Sequence, residues 1–431
     1  MQKVFRKMFV VPGFVFAISL LVASLLSVAA RATESDELPA NFLAGMHVRH
    51  ADKATIQHTK QGNIPTPHGF PAGVDTIVNF TNHFEAQGVY LDGSAHHIWE
   101  YSMVGNPPGQ GGTTVFNAPV VPVTVDMRNF NGSPRFVKGQ RLISKPDVFV
   151  QPFLNGPVYG TANYTSSPVA TQITDAVQRA EFGGQATADW HTLLAPAVKT
   201  GRTMVLIRGT YRFALNADGT CCAFVLVDIN TFENELFPPT TPDNSTVIGA
   251  SEVAGDITTK DISTFFFPNT YLFFNGDPNQ CCVLGFHSFD FESGTASNGN
   301  QPRFFVLNYS SWISPGLFGG GFQDVTAHSH EIAETFNDPF VGFDNIHNIT
   351  PFWKNPAGQC QDLMEDGDVI EDLPNPVFPV TIGNFTYHPQ TEALLPWFEF
   401  QSPSSAIDGA YSYPNEDVLT ALSAPQKLNC Q

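Results

Sequence analysis

Three observations predict a mixed α+β fold for this chain. Charged residues make up only 14% of the 431 positions, whereas Phe (38), Gly (35) and Pro (33) are abundant, the composition of a strand- and loop-rich protein that folds rather than of an acidic disordered tail. Short alternating apolar runs broken by Gly, Asn and Asp recur from Gly73 to Tyr309 and read as strands and turns. One later stretch, AHSHEIAETFNDP at 327–339, has the period of a helix and carries polar chemistry on one face.

The N-terminus reads as a leader. Lys3, Arg6 and Lys7 precede an apolar run from Met8 to Ala30 that ends Ala30-Arg31-Ala32, so residues 1–32 are expected to be a secretory signal peptide. The mature chain is then secreted, extracellular or periplasmic, with no membrane segment after signal removal. A net charge of −19 repels phosphate backbones and argues against nucleic acid as a partner. In an exported protein the six cysteines favour disulfides. The expected pairing joins the vicinal pairs Cys221-Cys222 and Cys281-Cys282 to each other, and Cys360 to Cys430.

Residues 33 to about 60 are polar, carry His47, His50 and His58, and read as an extended, exposed lead-in. With the strand signals Val74–Phe80, Gly88–Leu91 and Ile98–Val104 they make up a lead-in and β-rich N-terminal region, residues 33–118. Residues 119–431 form the main domain, which opens on the strand Val120–Met127, where Pro122 points to an edge or a bulge. Thr174 is placed to cap a helix running to Phe182. The runs Thr203–Leu215 and Ala223–Ile229 form a hairpin about Asn216–Gly219, and one or two helices are expected between Ser245 and Phe267. Strands at Cys282–Ser288 and Arg303–Tyr309 lead towards the site helix. Near the C-terminus, Trp397, Phe398, Tyr411 and Tyr413 either seal the domain or line a cleft, sealing being the expectation.

The glycines Gly319–Gly321 end the loop before the site helix, Asp324 supplies an N-cap, and Asn337-Asp338-Pro339 stops it after about twelve residues. A step of roughly 100° per residue puts Ile332 and Phe336 within about 20° of Val325, and His330 and Glu334 on the opposite side. One face packs and the other presents a histidine and a carboxylate one turn apart. That is the arrangement of a zinc-hydrolase helix, with Glu at the second ligand position where HExxH has His. His330 and Glu334 are the candidate metal ligands and Glu331 the candidate general base. Zn²⁺ is the expected ion, with Ca²⁺ as an alternative because the acidic loop Glu365, Asp366 and Asp368 offers only oxygen. The spacing equally suits an ion pair on a surface helix, worth tenths of a kcal/mol. His328 lies two residues from His330 and points elsewhere on a helix. His287 reads as a buried strand histidine near the site.

The run SHEIAETFNDPFV, followed by QCQDLMEDGD at 359–368 and preceded by CCVLGFHS at 281–288, resembles the plant Exordium and phosphate-induced proteins and related secreted bacterial and fungal sequences. Those share an HEhAE helix, a T-[ND]-P turn, a later EIGDLC-type segment and a C-G-[YF]-H strand. The resemblance implies a zincin-like metal-binding domain over residues 119–431, a mixed sheet beside an active-site helix. It also implies Asp362 as the third metal ligand, with Glu365 and Asp338 as rivals. This chain departs from the pattern with Gln359 in place of Glu and with its cysteine before Asp362 instead of after it. Two functions are implied: zinc-dependent peptide hydrolysis, or a non-catalytic extracellular or cell-wall-associated protein whose metal site is structural or vestigial. Partners would be extracellular protein or peptide, or cell-wall material.

Overall fold

A computed structural model describes residues 35–49, 74–87, 96–239, 243–296, 299–319, 321–341, 353–354, 360–361 and 364–422. The expected signal peptide, His50, His58, the run at 88–91, Asp362 and Cys430 lie outside these residues. Strands β1 (Asn79–Gln87) and β2 (His96–Val104) pair antiparallel into a hairpin, so the first strand starts five residues later than its apolar run suggests. The buried side chains of this hairpin, Phe80, Phe84, Tyr101 and Met103, pack against Trp190, Met364, Val369 and Trp397.

Strand β3 (Thr113–Arg128) runs unbroken for 16 residues and is central, not an edge. On one side it pairs in parallel with β5 (His191–Val198) up to Val120, then with β6 (Arg202–Ile207) from Val123. Pro122 falls in the gap between those two registers, so its missing N–H costs no ladder bond there. On its other side β3 meets the short β4 (Ile143–Ser144) and β9 (Ser263–Pro268); beyond β9 lie β13 (Arg303–Trp312) and, antiparallel to it at the edge, β12 (Gly285–Glu292). The seven strands make one mixed, curled sheet. Along β3 the side chains alternate by face. Phe116, Ala118 and Val120 enter one core and Val121, Val123, Val125 and Met127 the other, so both faces are covered.

The first core is completed by helices α1 (Asp147–Leu154), α2 (Ile173–Phe182) and α5 (Thr326–Asn337). Helix α2 starts at Ile173, with Thr174 inside it and Gln172 at the N-cap position. The second core lies under α3 (Ile229–Leu236), α4 (Val247–Val253) and a four-stranded sheet ordered β11 (Cys281–Val283), β10 (Thr270–Phe273), β8 (Cys221–Asp228), β7 (Tyr211–Leu215). The expected hairpin is β7 with β8; the run from Thr203 divides because Gly209, at φ 99°, turns the chain from one sheet into the other. Within Ser245–Phe267 only α4 is helical. The phenylalanines Phe265, Phe266 and Phe267 belong to β9, where alternate side chains fill both cores.

Each vicinal cysteine pair closes on itself, Cys221 to Cys222 and Cys281 to Cys282. The expected cross-link between the pairs fails on register. Asp228 and Cys281 both align with Phe273, from opposite sides of β10, so Cys221 sits seven residues further along the strand and two strands away. That is well beyond the roughly 7 Å limit between bridged Cα atoms.

Residues 35–49 of the lead-in are largely exposed, as expected, but they form a strap held at both ends instead of a free tail. Phe213 donates its N–H to Asp36 O at 3.0 Å and Leu38 donates to Phe213 O at 2.7 Å, so the segment begins on the β7 edge of the four-stranded sheet. Leu43, fully buried, then packs with Phe224, Leu226, Tyr271 and Phe273, a burial worth roughly 1.5–3 kcal/mol. At the far edge Cys282 donates to His47 O at 3.2 Å and Arg49 donates to Cys282 O at 2.7 Å. Among the described residues no helix is long and apolar enough to cross a membrane. Trp397, Phe398 and Tyr413 are buried and seal the domain, so they do not offer an aromatic binding face.

One buried acidic pair outside the site gives the fold a pH dependence. Glu252 on α4 meets Asp290 on β12, with Glu292 close by; burial, reinforced by the neighbouring charges, pushes Glu252 up to about 10 and Asp290 up to about 7. Two carboxyl groups bond only while one holds a proton. Both shifts are upward, so their stabilisation is complete below the unfolded value near 4 and is lost as pH rises through the folded values. Glu252→Gln, whose amide donates at any pH, is expected to reduce the loss of stability between pH 6 and 9 by about 1–3 kcal/mol, read by denaturant titration across that range. An unchanged pH profile would show that the pair does not share a proton.

Candidate metal centre

Helix α5 spans Thr326–Asn337, twelve residues, and every one of them is buried. Its N-cap position is Val325 instead of Asp324. Asp324 sits one residue earlier with φ 44°, and its carboxylate accepts from Val325 N–H at 2.6 Å and from His388 N–H at 2.9 Å. Ile332 and Phe336 enter the first core as their helical phase predicts. The opposite face does not open to water. His330, Glu331 and Glu334 are 7%, 5% and 2% exposed, so an exposed surface-helix ion pair is ruled out.

Two other segments close over that face. Strand β12 brings His287, and the loop 364–371 brings Glu365 and Asp368. The loop is pinned from several directions: Gln390 Nε2 donates to Gly367 O at 2.7 Å, Asn337 Nδ2 donates to Asp366 Oδ2 at 3.0 Å, and Met364, Val369 and Ile370 pack under the β1–β2 hairpin. Two glycines permit the approach. A Cβ on Gly367 would lie 2.4 Å from His330 Nδ1, and one on Gly285 would lie 2.6 Å from the Glu331 carboxyl group.

Glu334 is the hub. Its Oε1 is 3.0 Å from His330 Nε2 and accepts from Asp368 N–H at 3.2 Å; its Oε2 is 3.3 Å from His287 Nδ1. Asp368 Oδ1 lies 3.5 Å from His330 Nε2, and Glu365 Oε2 lies 3.5 Å from His287 Nδ1. Glu331 stands slightly back, 4.0 Å from His330 and 3.9 Å from His287. Together these groups surround a cavity of about 40 Å³.

The electrostatics are those of a site short of positive charge. Burial, then repulsion from the surrounding carboxylates, drives Glu331 and Glu365 far above the usual carboxylate range. For His330 burial works downward, but Glu334 and Glu331 outweigh it and hold the imidazole well above its ordinary value. For Glu334 burial works upward and is overcome by His330 and His287, which hold its carboxyl below the usual carboxylate range. Uncompensated buried carboxylates are costly, and a cation is the usual remedy. Donor atoms 3.0–3.5 Å apart around His330, Glu334 and Asp368 suit ligation of a common ion at about 2.0–2.2 Å.

The structure thus brings together His330, Glu334 and Glu331, as the helix pattern predicts. Asp362 lies outside the described residues, and Asp368, six residues further on, takes the third position in the His330 group. Both rivals, Glu365 and Asp338, group with His287. His287 is buried on its strand as read, but it also faces the cluster, which its lone position in β12 does not reveal. His328 is turned away, packed on Phe153 with ring centres 4.3 Å apart and the rings tilted by 34°, and burial pushes it down to about 3, a neutral core residue.

Comparison with family models, curated proteins and solved structures finds no match to this chain.

Proposed function

We propose that this is a secreted metal-binding protein with a metallopeptidase-like site, and that it hydrolyses peptide bonds with Glu331 as general base. The observation that carries the reading is the meeting of His330, Glu334 and Asp368 around a cavity that Glu331 also lines. One imidazole and two carboxylates suit Zn²⁺ and, with weaker binding, Ca²⁺. The ion would supply Lewis acidity towards a carbonyl and its attacking water. Glu331 would take the proton of that water and return it to the leaving amine, and the Asp368 N–H would hold Glu334 in its liganding orientation. A helix packed on the antiparallel edge of a mixed sheet supports the zincin-like, Exordium-related architecture that the motifs imply.

One observation favours a second reading, a non-catalytic extracellular or cell-wall-associated protein with a structural ion. A 40 Å³ cavity whose histidines and carboxylates are less than a tenth exposed, and which only Val48 and Arg49 of its lining join to the surface, has room for ions and water but not for a peptide. Glu331→Gln separates the two. The variant is expected to keep the full metal content of the wild type, by elemental analysis, while hydrolysis of a quenched fluorescent peptide library falls by about 10²–10⁴-fold. Equal activity in variant and wild type would sink the catalytic role. A metal-replete wild type that cleaves nothing would leave the structural reading.

A further inference from the structure

We propose that the centre holds two divalent cations instead of one, with the Glu334 carboxylate bridging them. The inference deepens the cation-binding reading above and rests on it. The two oxygens of Glu334 serve different histidines: Oε1 is 3.0 Å from His330 Nε2 and Oε2 is 3.3 Å from His287 Nδ1. Each histidine belongs to its own set of donors, His330 with Glu334 and Asp368, and His287 with Glu334 and Glu331 or with Asp338 and Glu365. Within each set the donor atoms lie within 4.8 Å of one another.

The second locus stands on the bonding of His287. Its Nε2 lies 3.1 Å from the backbone carbonyl oxygen of Asp338, which only accepts, so that nitrogen carries the proton. In the neutral ring Nδ1 then presents a lone pair, and it faces three carboxylate oxygens, from Glu334, Glu365 and Glu331, at 3.3, 3.5 and 3.9 Å. Four acceptors pointing at one another need a cation among them or a second proton on the ring. A backbone carbonyl that fixes the far nitrogen of the imidazole is the usual support of a metal-bound histidine. Glu365 adds an independent sign. It is 6% exposed, lines the cavity, and its Oε1 is buried without a hydrogen-bond partner.

Space and charge agree with two ions. The cavity of about 40 Å³ exceeds the roughly 10–15 Å³ that one water-sized occupant needs. Five carboxylates line it, Glu331, Glu334, Glu365, Asp368 and Glu371, against the single guanidinium of Arg49, and one divalent ion together with Arg49 would balance only three of them. Mixed imidazole and carboxylate donors select Zn²⁺ or Mn²⁺ over Cu(I) or a purely oxygen-seeking ion. A bridging carboxylate is compatible with the roughly 3.5–4 Å separation of two-metal hydrolytic sites.

The test is stoichiometry. The purified protein is stripped with chelator, dialysed against Mn²⁺ or Zn²⁺ and analysed for metal per chain, with Mn²⁺ samples also examined by electron paramagnetic resonance. The wild type should bind two ions with an exchange-coupled Mn²⁺ spectrum. Glu365→Gln, which preserves shape, and His287→Gln should each bind one ion with an uncoupled spectrum and an unchanged far-ultraviolet circular dichroism spectrum. One ion in the wild type and in both variants would overturn the second locus while leaving the first, as would two ions in both variants. No ion in the wild type would overturn the cation-binding reading itself.

Discussion

Glu334→Gln should abolish metal binding and, with it, the part of the protein's stability that depends on metal. Glu334 faces both histidines, at 3.0 and 3.3 Å against 4.0 and 3.9 Å for Glu331, and it accepts from the Asp368 backbone. Glutamine fits the same space but removes the anion and turns one donor atom into an N–H₂ that points at an imidazole nitrogen. Affinity should fall by at least about 100-fold, more than is typical for loss of an outer-sphere partner. By mass action, wild-type protein in metal at 100 times its Kd gains about 2.7 kcal/mol over the chelated form, and the variant should gain almost none. Thermal unfolding with and without chelator measures this directly. If the variant still gains stability from metal to the wild-type extent, Glu334 is not a ligand.

The second large effect is expected at a position with no side chain at all. Gly367→Ala would place a methyl group 2.4 Å from His330 Nδ1 and 2.6 Å from Cε1, and neither side can yield easily. The ring is fixed on a fully buried helix, and the loop backbone is held by Gln390 through the Gly367 carbonyl. Overpacking of this kind costs about 1–3 kcal/mol. Because the ring that must move is a proposed ligand, metal affinity should fall together with stability, whereas a purely structural defect would lower stability equally with and without metal. Comparing chelated and metal-loaded unfolding midpoints of the variant decides between them. Retention of wild-type affinity would mean that the ring is free to move or does not bind.

The site helix was readable because its signals are local. The period placing Ile332 and Phe336 opposite His330 and Glu334, and the Asn337-Asp338-Pro339 stop, lie within one element. The strands Cys282–Ser288 and Arg303–Tyr309 were readable for the same reason, apart from the break at Leu284 between β11 and β12. What depends on partners distant in sequence was not. Pro122 looks like an edge residue until two neighbouring strands are seen to leave a gap beside it. Three aromatic residues at 265–267 suit a helix or a strand, and only a sheet buried on both faces decides the matter. His287 and Asp368 come to the cluster from 43 residues before His330 and 38 after it; the CCVLGFHS strand and the acidic run mark their segments, but nothing local places either side chain against the helix. Gly367 carried a weak signal: a glycine inside an acidic run, D-G-D, is a place where another group can approach the backbone.

The strap also ties together segments that are made far apart in time. Asp36 finds Arg208 across 172 residues and Arg49 finds Cys281 across 232, although the strap is synthesised long before either partner. At about 5–20 residues per second, Leu43 waits roughly 10–50 s for the sheet that will cover it. Contacts of such long range carry a large loop-closure cost, which slows folding. Val48 and Arg49 line the acidic cavity, so its rim depends on contacts that reach across up to 232 residues of chain.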